Sequence, residues 1–169
     1  MIDFIFAVLA IAAAANPATD EAGPAGVQGN VVTEAEGFTA PVGLQAEPQT
    51  ASGRFTTATE VKPILTATKT SWIAVRDYGG NDLLYLTHLW SWRCGLEAMA
   101  IAVNDGPVQE VPLPACHTEF ATPNAILEQD GLPFLTYPQN SITQVTVHII
   151  YDDLTRDSAV FSRSDVLIP

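Results

Sequence analysis

From Phe55 onward, β-branched and aromatic residues fall in short runs separated by turn residues, the pattern of a small antiparallel β domain. The clearest unit runs from Trp72 to Tyr78, turns at Gly79, Gly80, Asn81 and Asp82, and returns from Leu83 to Trp92, which predicts a hairpin with a four-residue turn. Leu96 to Val103 predicts a third strand, and Asn104, Asp105, Gly106 and Pro107 form a turn into a fourth at Val108 to Val111. A last pair, Ile142 to Tyr151 and Ser158 to Ser162, is joined across Asp152 to Asp157. Six strands in three hairpins result.

Two segments depart from this texture. In Glu60 to Lys69, Val61, Ile64, Leu65 and Thr68 give one helical face with Pro63 in the first turn, so a short helix is expected despite a threonine content that suits a strand. Between Pro112 and Asn140 the prolines Pro112, Pro114, Pro123, Pro133 and Pro138 are too many for central strands and predict a long irregular connection. Apolar-faced antiparallel strands bury their faces most simply as two packed layers. The expected architecture is therefore a mostly β, immunoglobulin-like antiparallel sandwich of six or seven strands, with a small barrel as the alternative.

Upstream of the strands, Asn16 to Ser52 is built of Ala, Gly, Pro, Thr, Gln and Glu with isolated apolar residues and no sustained period, which predicts a disordered acidic linker with a short extended piece at Val31 and Val32. Before it, Phe4 to Ala15 is a short apolar run ending in the small residues Ala13, Ala14 and Ala15, the form of a cleavable signal peptide. As a helix this run spans about 18 Å against roughly 30 Å of hydrocarbon, so a stable membrane span is not expected. Asp3 stands where a basic residue is usual, and the competing reading is an apolar terminal helix packed on the domain. The expected organisation is a signal segment at 1–15, a linker at 16–52 and a sandwich domain at 53–169, in a periplasmic or secreted protein.

Composition narrows the partners. The 169-residue chain carries 19 acidic and 7 basic residues, a formal net charge of −12, so a nucleic acid meets repulsion in place of counterion-releasing attraction. No Lys or Arg precedes Arg54. Hydrophobic residues at 47% exclude wholesale disorder.

Cys94 and Cys116 are the only cysteines, and an even count behind an export signal predicts one disulfide. Closing that loop should stabilise the domain by about 3 kcal/mol and order the start of the Pro-rich connection. The rival, a reactive or metal-bound pair, lacks CxxC spacing.

The densest run of large side chains is Leu83 to Cys94, where a strand would place Leu84, Leu86, His88, Trp90, Trp92 and Cys94 on one face. Two readings compete: a central strand whose tryptophan packs on the disulfide, or an aromatic patch in which Tyr78, Tyr85, Trp90, Trp92 and Arg93 stack on a glycan, peptide or protein. Of the histidines, His88 reads as a core residue and His148 lies with Gln144 and Thr146 on the expected solvent face. His117, beside Cys116 and two before Glu119, is the one placed for a ligand role.

The motif inventory is bare: HExxH, GxSxG, SxxK and a Gly-rich phosphate loop are all missing, so neither a metal nor a cofactor is expected. The acidic pairs Asp152 with Asp153 and Glu128 with Asp130 fall at expected turns or loops, where acids are routine. The expected function is non-enzymatic binding, to another envelope or extracellular protein, through the disulfide-anchored loop Pro112 to Asn140, with His117 and Glu119 on it, and the nearby aromatics. The alternatives are a carbohydrate or small-ligand module using Tyr85, Trp90, Trp92 and Arg93, and a small hydrolase with a site near His117 and Glu119.

Overall fold

The computed structural model describes Phe38 and residues 40–169. The expected signal segment and the first part of the expected linker lie outside the described residues.

Gly79 and Gly80 set the first hairpin. Both adopt positive φ, +61° and +79°, the conformation that a two-residue turn between twisted strands requires and that side chains disfavour. β1 (Ala74–Tyr78) thus pairs with β2 (Asn81–Tyr85) across two residues, not the four expected, and Asn81 and Asp82 belong to the strand. Asp82 consequently points inward with Leu84, fully buried, and is no turn residue.

β2 ends at Tyr85, well short of the expected Trp92. The Leu86 N–H leaves the ladder to donate to the Pro133 carbonyl at 2.7 Å, and the Trp90 N–H then donates to the Leu86 carbonyl at 3.0 Å, closing α2 (Thr87–Trp90). Leu86, Leu89, Trp90 and Arg93 are all buried, a spacing of i, i+3, i+4 and i+7. The single strand face proposed for Leu84 to Cys94 is therefore wrong. A helical period buries Leu86, Leu89 and Trp90 together, whereas alternation would send Leu89 to the opposite face from the other two.

The remaining strands are β3 (Leu96–Val103), β4 (Gln109–Glu110), β5 (Phe134–Pro138), β6 (Gln144–Tyr151), β7 (Arg156–Ser162) and β8 (Leu167–Ile168). They form two four-stranded sheets, ordered β5–β2–β1–β8 and β4–β3–β6–β7. The protein is mostly β, a small two-sheet sandwich with one disulfide; all described strand pairs are antiparallel except β1 with β8. Val75 and Leu84 of one sheet share a core with Met99, Ile101, Val145, Val147, Ile149 and Phe161 of the other. The Pro-rich stretch does contribute a strand, contrary to expectation. β5 is tolerated because it lies at a sheet edge and pairs only with β2, Pro138 closing it opposite Asn81.

α1 (Ala58–Ala67) forms where the helical face was read, with Ala58, Val61 and Leu65 buried. It presses closely on the turn at Arg93–Gly95: a Cβ on Gly95 would meet the Thr57 carbonyl oxygen at 2.9 Å and run into Val61. The carboxylate of Asp152 caps the helix by accepting the Ala58 N–H at 2.8 Å.

Packing begins upstream of the boundary expected at residue 53. Phe38 is buried against Ala98, Ala100 and Ile150, its carbonyl accepting from Arg156 at 2.9 Å. Farther along, the Glu47 N–H donates to the Asp152 carbonyl at 2.8 Å, and the Gln49 amide donates to the Asp152 carboxylate at 2.8 Å. The described part of the expected linker is thus a strap bound to the domain. Its Phe38 also covers His148 at 6.3 Å between ring centroids, so His148 is only 6% exposed, and of the three residues expected on the solvent face Gln144 is exposed, Thr146 half-buried and His148 buried. Burial lowers the His148 pKa. Among the described residues no helix is long and apolar enough to cross a membrane.

Candidate functional site

Residues 112–133, between β4 and β5, contain no strand and a single helical turn at Glu128–Asp130, and three devices hold them. The first is covalent. Cys94 and Cys116 are disulfide-bonded, with Cα atoms 4.9 Å apart, as the cysteine count predicts. Cys94 lies in the turn after α2 and not at the end of a strand, so the bridge joins a helical corner to the loop.

Arg93 is the second device. Its side chain is 0% exposed, and all five of its N–H donors are used. Nε donates to the Ala115 carbonyl at 3.0 Å; Nη1 to Trp90 at 3.0 Å and Asn124 at 2.8 Å; Nη2 to Ala125 at 3.0 Å and to Asp130 at 3.3 Å. One side chain thus satisfies three loop carbonyls, those of Ala115, Asn124 and Ala125. Asp130, 4% exposed, receives in addition His117 Nε2 at 2.9 Å and the Leu127 N–H at 2.8 Å. Burial works against its charge, but the Leu127 N–H, the His117 bond and the Arg93 guanidinium outweigh burial and hold its pKa below the usual carboxylate range.

The third device ties the loop to the segment before α1. Arg54 donates to the Thr118 carbonyl at 2.8 Å and also to the Phe120 carbonyl. Asn124 bridges both neighbours, accepting the Cys94 N–H at 2.9 Å and donating to the Phe55 carbonyl at 2.7 Å. Phe55 adopts φ +57°, a left-handed conformation that a bulky residue holds only when its surroundings impose it. Its ring stands edge-on to Trp92 at 5.4 Å, and that of Phe120 edge-on to His117 at 5.9 Å. Both phenylalanines remain open to solvent, 40% and 47% exposed.

The expected aromatic patch does not form as drawn. Arg93 and Trp90 are buried, so the guanidinium is unavailable for cation–π contact with a ligand. Tyr85 is half-buried at the end of β2, its ring 5.5 Å from Phe134. Tyr78 is exposed beside the Gly79–Gly80 turn, with the Arg76 guanidinium 5.2 Å from its ring. Trp92, half-buried, is the member that reaches the loop, through Phe55. His117 and Glu119 do come together, Nδ1 lying 3.7 Å from the exposed carboxylate. Asp130, read with Glu128 as a routine loop acid, is instead buried against Arg93 and His117, and Asn124, Arg54, Phe55 and Phe120 escaped the sequence reading as site residues, since residues in separate segments carry no local pattern.

A His–Asp pair is half of a catalytic relay, but among the described residues no hydroxyl or thiol hydrogen-bonds to His117, and both cysteines are in the bridge. The pair links His117 through Asp130 to Arg93. Among the described residues no cluster of three His, Cys, Asp or Glu side chains is placed to hold a metal ion. The chain matches no protein-family model, no curated protein and no solved structure.

Proposed function

We propose that this is an exported, non-enzymatic binding protein of the periplasm or extracellular space, whose clamped loop at residues 112–133 is the contact surface for another envelope or extracellular protein. The observation that carries the reading is a contrast within the loop: its base is pinned by the disulfide, Arg93 and Asp130, while Phe120 and the adjoining Phe55 present apolar rings to water. Aromatic anchors on a surface that is already ordered bind with little further entropic cost, which is the usual chemistry of interface hot spots. Glu119 beside them adds a charged rim. The disulfide favours an oxidising compartment.

The test is capture by the immobilised protein from envelope extract and culture medium, compared with a Phe120→Ser variant. The variant should lose the captured partner by at least about tenfold, the scale of one hot-spot side chain. Its unfolding midpoint should stay unchanged, because an exposed ring contributes little to stability. Equal capture by the two proteins argues against the loop.

A further inference from the structure

A concave surface that shares no lining residue with the loop lies where β1 begins and β2 ends. It is a cleft of about 410 Å³ with Tyr85 on one side, His88 and Ser91 of the α2 corner on another, and Ser71 and Ala74 at the approach to β1. Ala74 is the cross-strand partner of Tyr85, and its single methyl leaves room beside the tyrosine ring. Ile73 and Ile168 supply apolar wall, and among the described residues no Asp, Glu, Lys or Arg lines the cleft.

The hydrogen-bonding sense of its polar groups is set by their neighbours. The Thr68 hydroxyl spends its proton on the Ile64 carbonyl at 2.7 Å, so at 2.8 Å from His88 Nε2 it accepts. His88 is thereby the Nε2–H tautomer, and Nδ1 is a lone-pair acceptor with no partner among the described residues. Burial favours the neutral ring. The Ser91 hydroxyl likewise donates to the Thr87 carbonyl at 2.8 Å, which leaves its lone pairs to accept. The cleft therefore offers fixed acceptors, the hydroxyls of Ser71 and Thr87, which have no partner among the described residues, and the half-buried Tyr85 ring, with no charged group among the described lining residues. A carboxylate or phosphate brings only acceptors and finds no cation here; an ammonium finds no counter-ion. A ring bearing several hydroxyls and one apolar face meets every group.

We propose that the cleft between Tyr85 and His88 is a binding site for a neutral saccharide, a pyranose ring whose hydroxyls donate to His88 Nδ1 and Ser91 and whose apolar face lies against Tyr85. The site is separate from the loop proposed for protein contact and stands or falls without it.

The full chain is applied to an array of neutral, uronic and sialylated glycans, and the strongest neutral ligand is then titrated by calorimetry and by ¹⁵N-resolved imidazole NMR. At least one neutral saccharide should bind and shift the His88 Nδ1 resonance while leaving that of His117 in place. Tyr85→Ala and Ser91→Ala should each weaken it by about tenfold, the effect of one lost contact. Ser71→Trp, at an exposed position that fills the cleft without touching the core, should abolish binding and keep the far-ultraviolet spectrum of the parent. Silence of every neutral glycan overturns the proposal. So does preference for the acidic glycans over their neutral parents, and so does full binding by Ser71→Trp.

Discussion

Two corners of the domain each bury an aspartate, and the two are held in opposite ways. At the loop, Asp130 faces a guanidinium, a histidine and a backbone N–H, and its charge is stabilised. At the junction of strap, α1 and β6, Asp152 is 2% exposed and among the described residues receives neutral donors alone, Gln49 and the Ala58 N–H, on one oxygen, while its other oxygen has no partner there. The nearest cation, Lys62, pairs with Asp153 at 2.7 Å instead. Burial therefore raises the Asp152 pKa while that of Asp130 is lowered. A buried carboxylate with a counter-charge can knit a loop together, whereas one without it is a cap kept at an electrostatic cost. Asp82, bound to both Nη atoms of Arg163 at 2.6 and 2.8 Å and held down to a pKa of about 2, belongs with Asp130.

The sharpest way to break this comparison is Arg93→Met. It leaves Asp130 buried without its cation and several carbonyls without donors, and should cost about 3–5 kcal/mol in urea unfolding. A loss under about 1 kcal/mol would mean that water replaces the guanidinium and that the loop is not clamped by it. Next in size is the double change Cys94→Ala with Cys116→Ala, expected to cost about 3 kcal/mol by chain entropy. If Arg93 and Asp130 hold the loop independently, amide exchange at Phe120 and Leu127 should still be slow in that variant, and fast exchange there assigns the ordering to the disulfide alone.

Gly95→Ala tests the packing between the two corners, since the added methyl meets the Thr57 carbonyl of the α1 cap. Overpacking against backbone should cost about 1–3 kcal/mol, measured by thermal melting. The smallest effect belongs to Asp152→Asn, which keeps an acceptor for Ala58 and Gln49 and removes the buried charge; stability at pH 7 should stay within about 1 kcal/mol of the parent, or rise.

The sign of its pH dependence follows from the raised pKa. The folded state holds the Asp152 proton longer than the unfolded state, so this group favours folding below its ordinary value of 3.8 and that contribution is lost as pH rises through the higher folded value. Asp130 and Asp82 do the reverse: their stabilisation is complete above the ordinary value and disappears as pH falls through their lowered ones. Denaturation curves across acidic pH should therefore show a downward step with rising pH in the parent that is absent in Asp152→Asn. An unchanged profile removes the contrast between the corners.

Much of the frame was legible. Val75 and Leu84, and Met99 and Ile101 opposite Ile149 and Val147, lie where period two puts them, and the Asn104–Pro107 turn follows β3 as read. The helix over Val61 and Leu65 and the Cys94–Cys116 bridge were equally visible. The stretch from Leu86 to Arg93 misled because it is rich in large apolar residues, which satisfy a strand and a helix alike over so few positions; only the burial of Leu86, Leu89, Trp90 and Arg93 chooses the helical period. β5 was hidden by flanking prolines that an edge position excuses.

For the candidate site, the loop and its bridge were readable and its machinery was not. Local order in this chain, its alternation and glycine turn, depends on neighbours a few residues apart and so is written in sequence; the Cys94–Cys116 pairing spans 22 residues and is readable only because the chain has two cysteines. Which acid becomes a buried partner depends on closures over longer spans, 37 residues from Arg93 to Asp130 and 81 from Asp82 to Arg163. Those pairings exist only once the sheets have packed and removed the water that would otherwise solvate each charge separately.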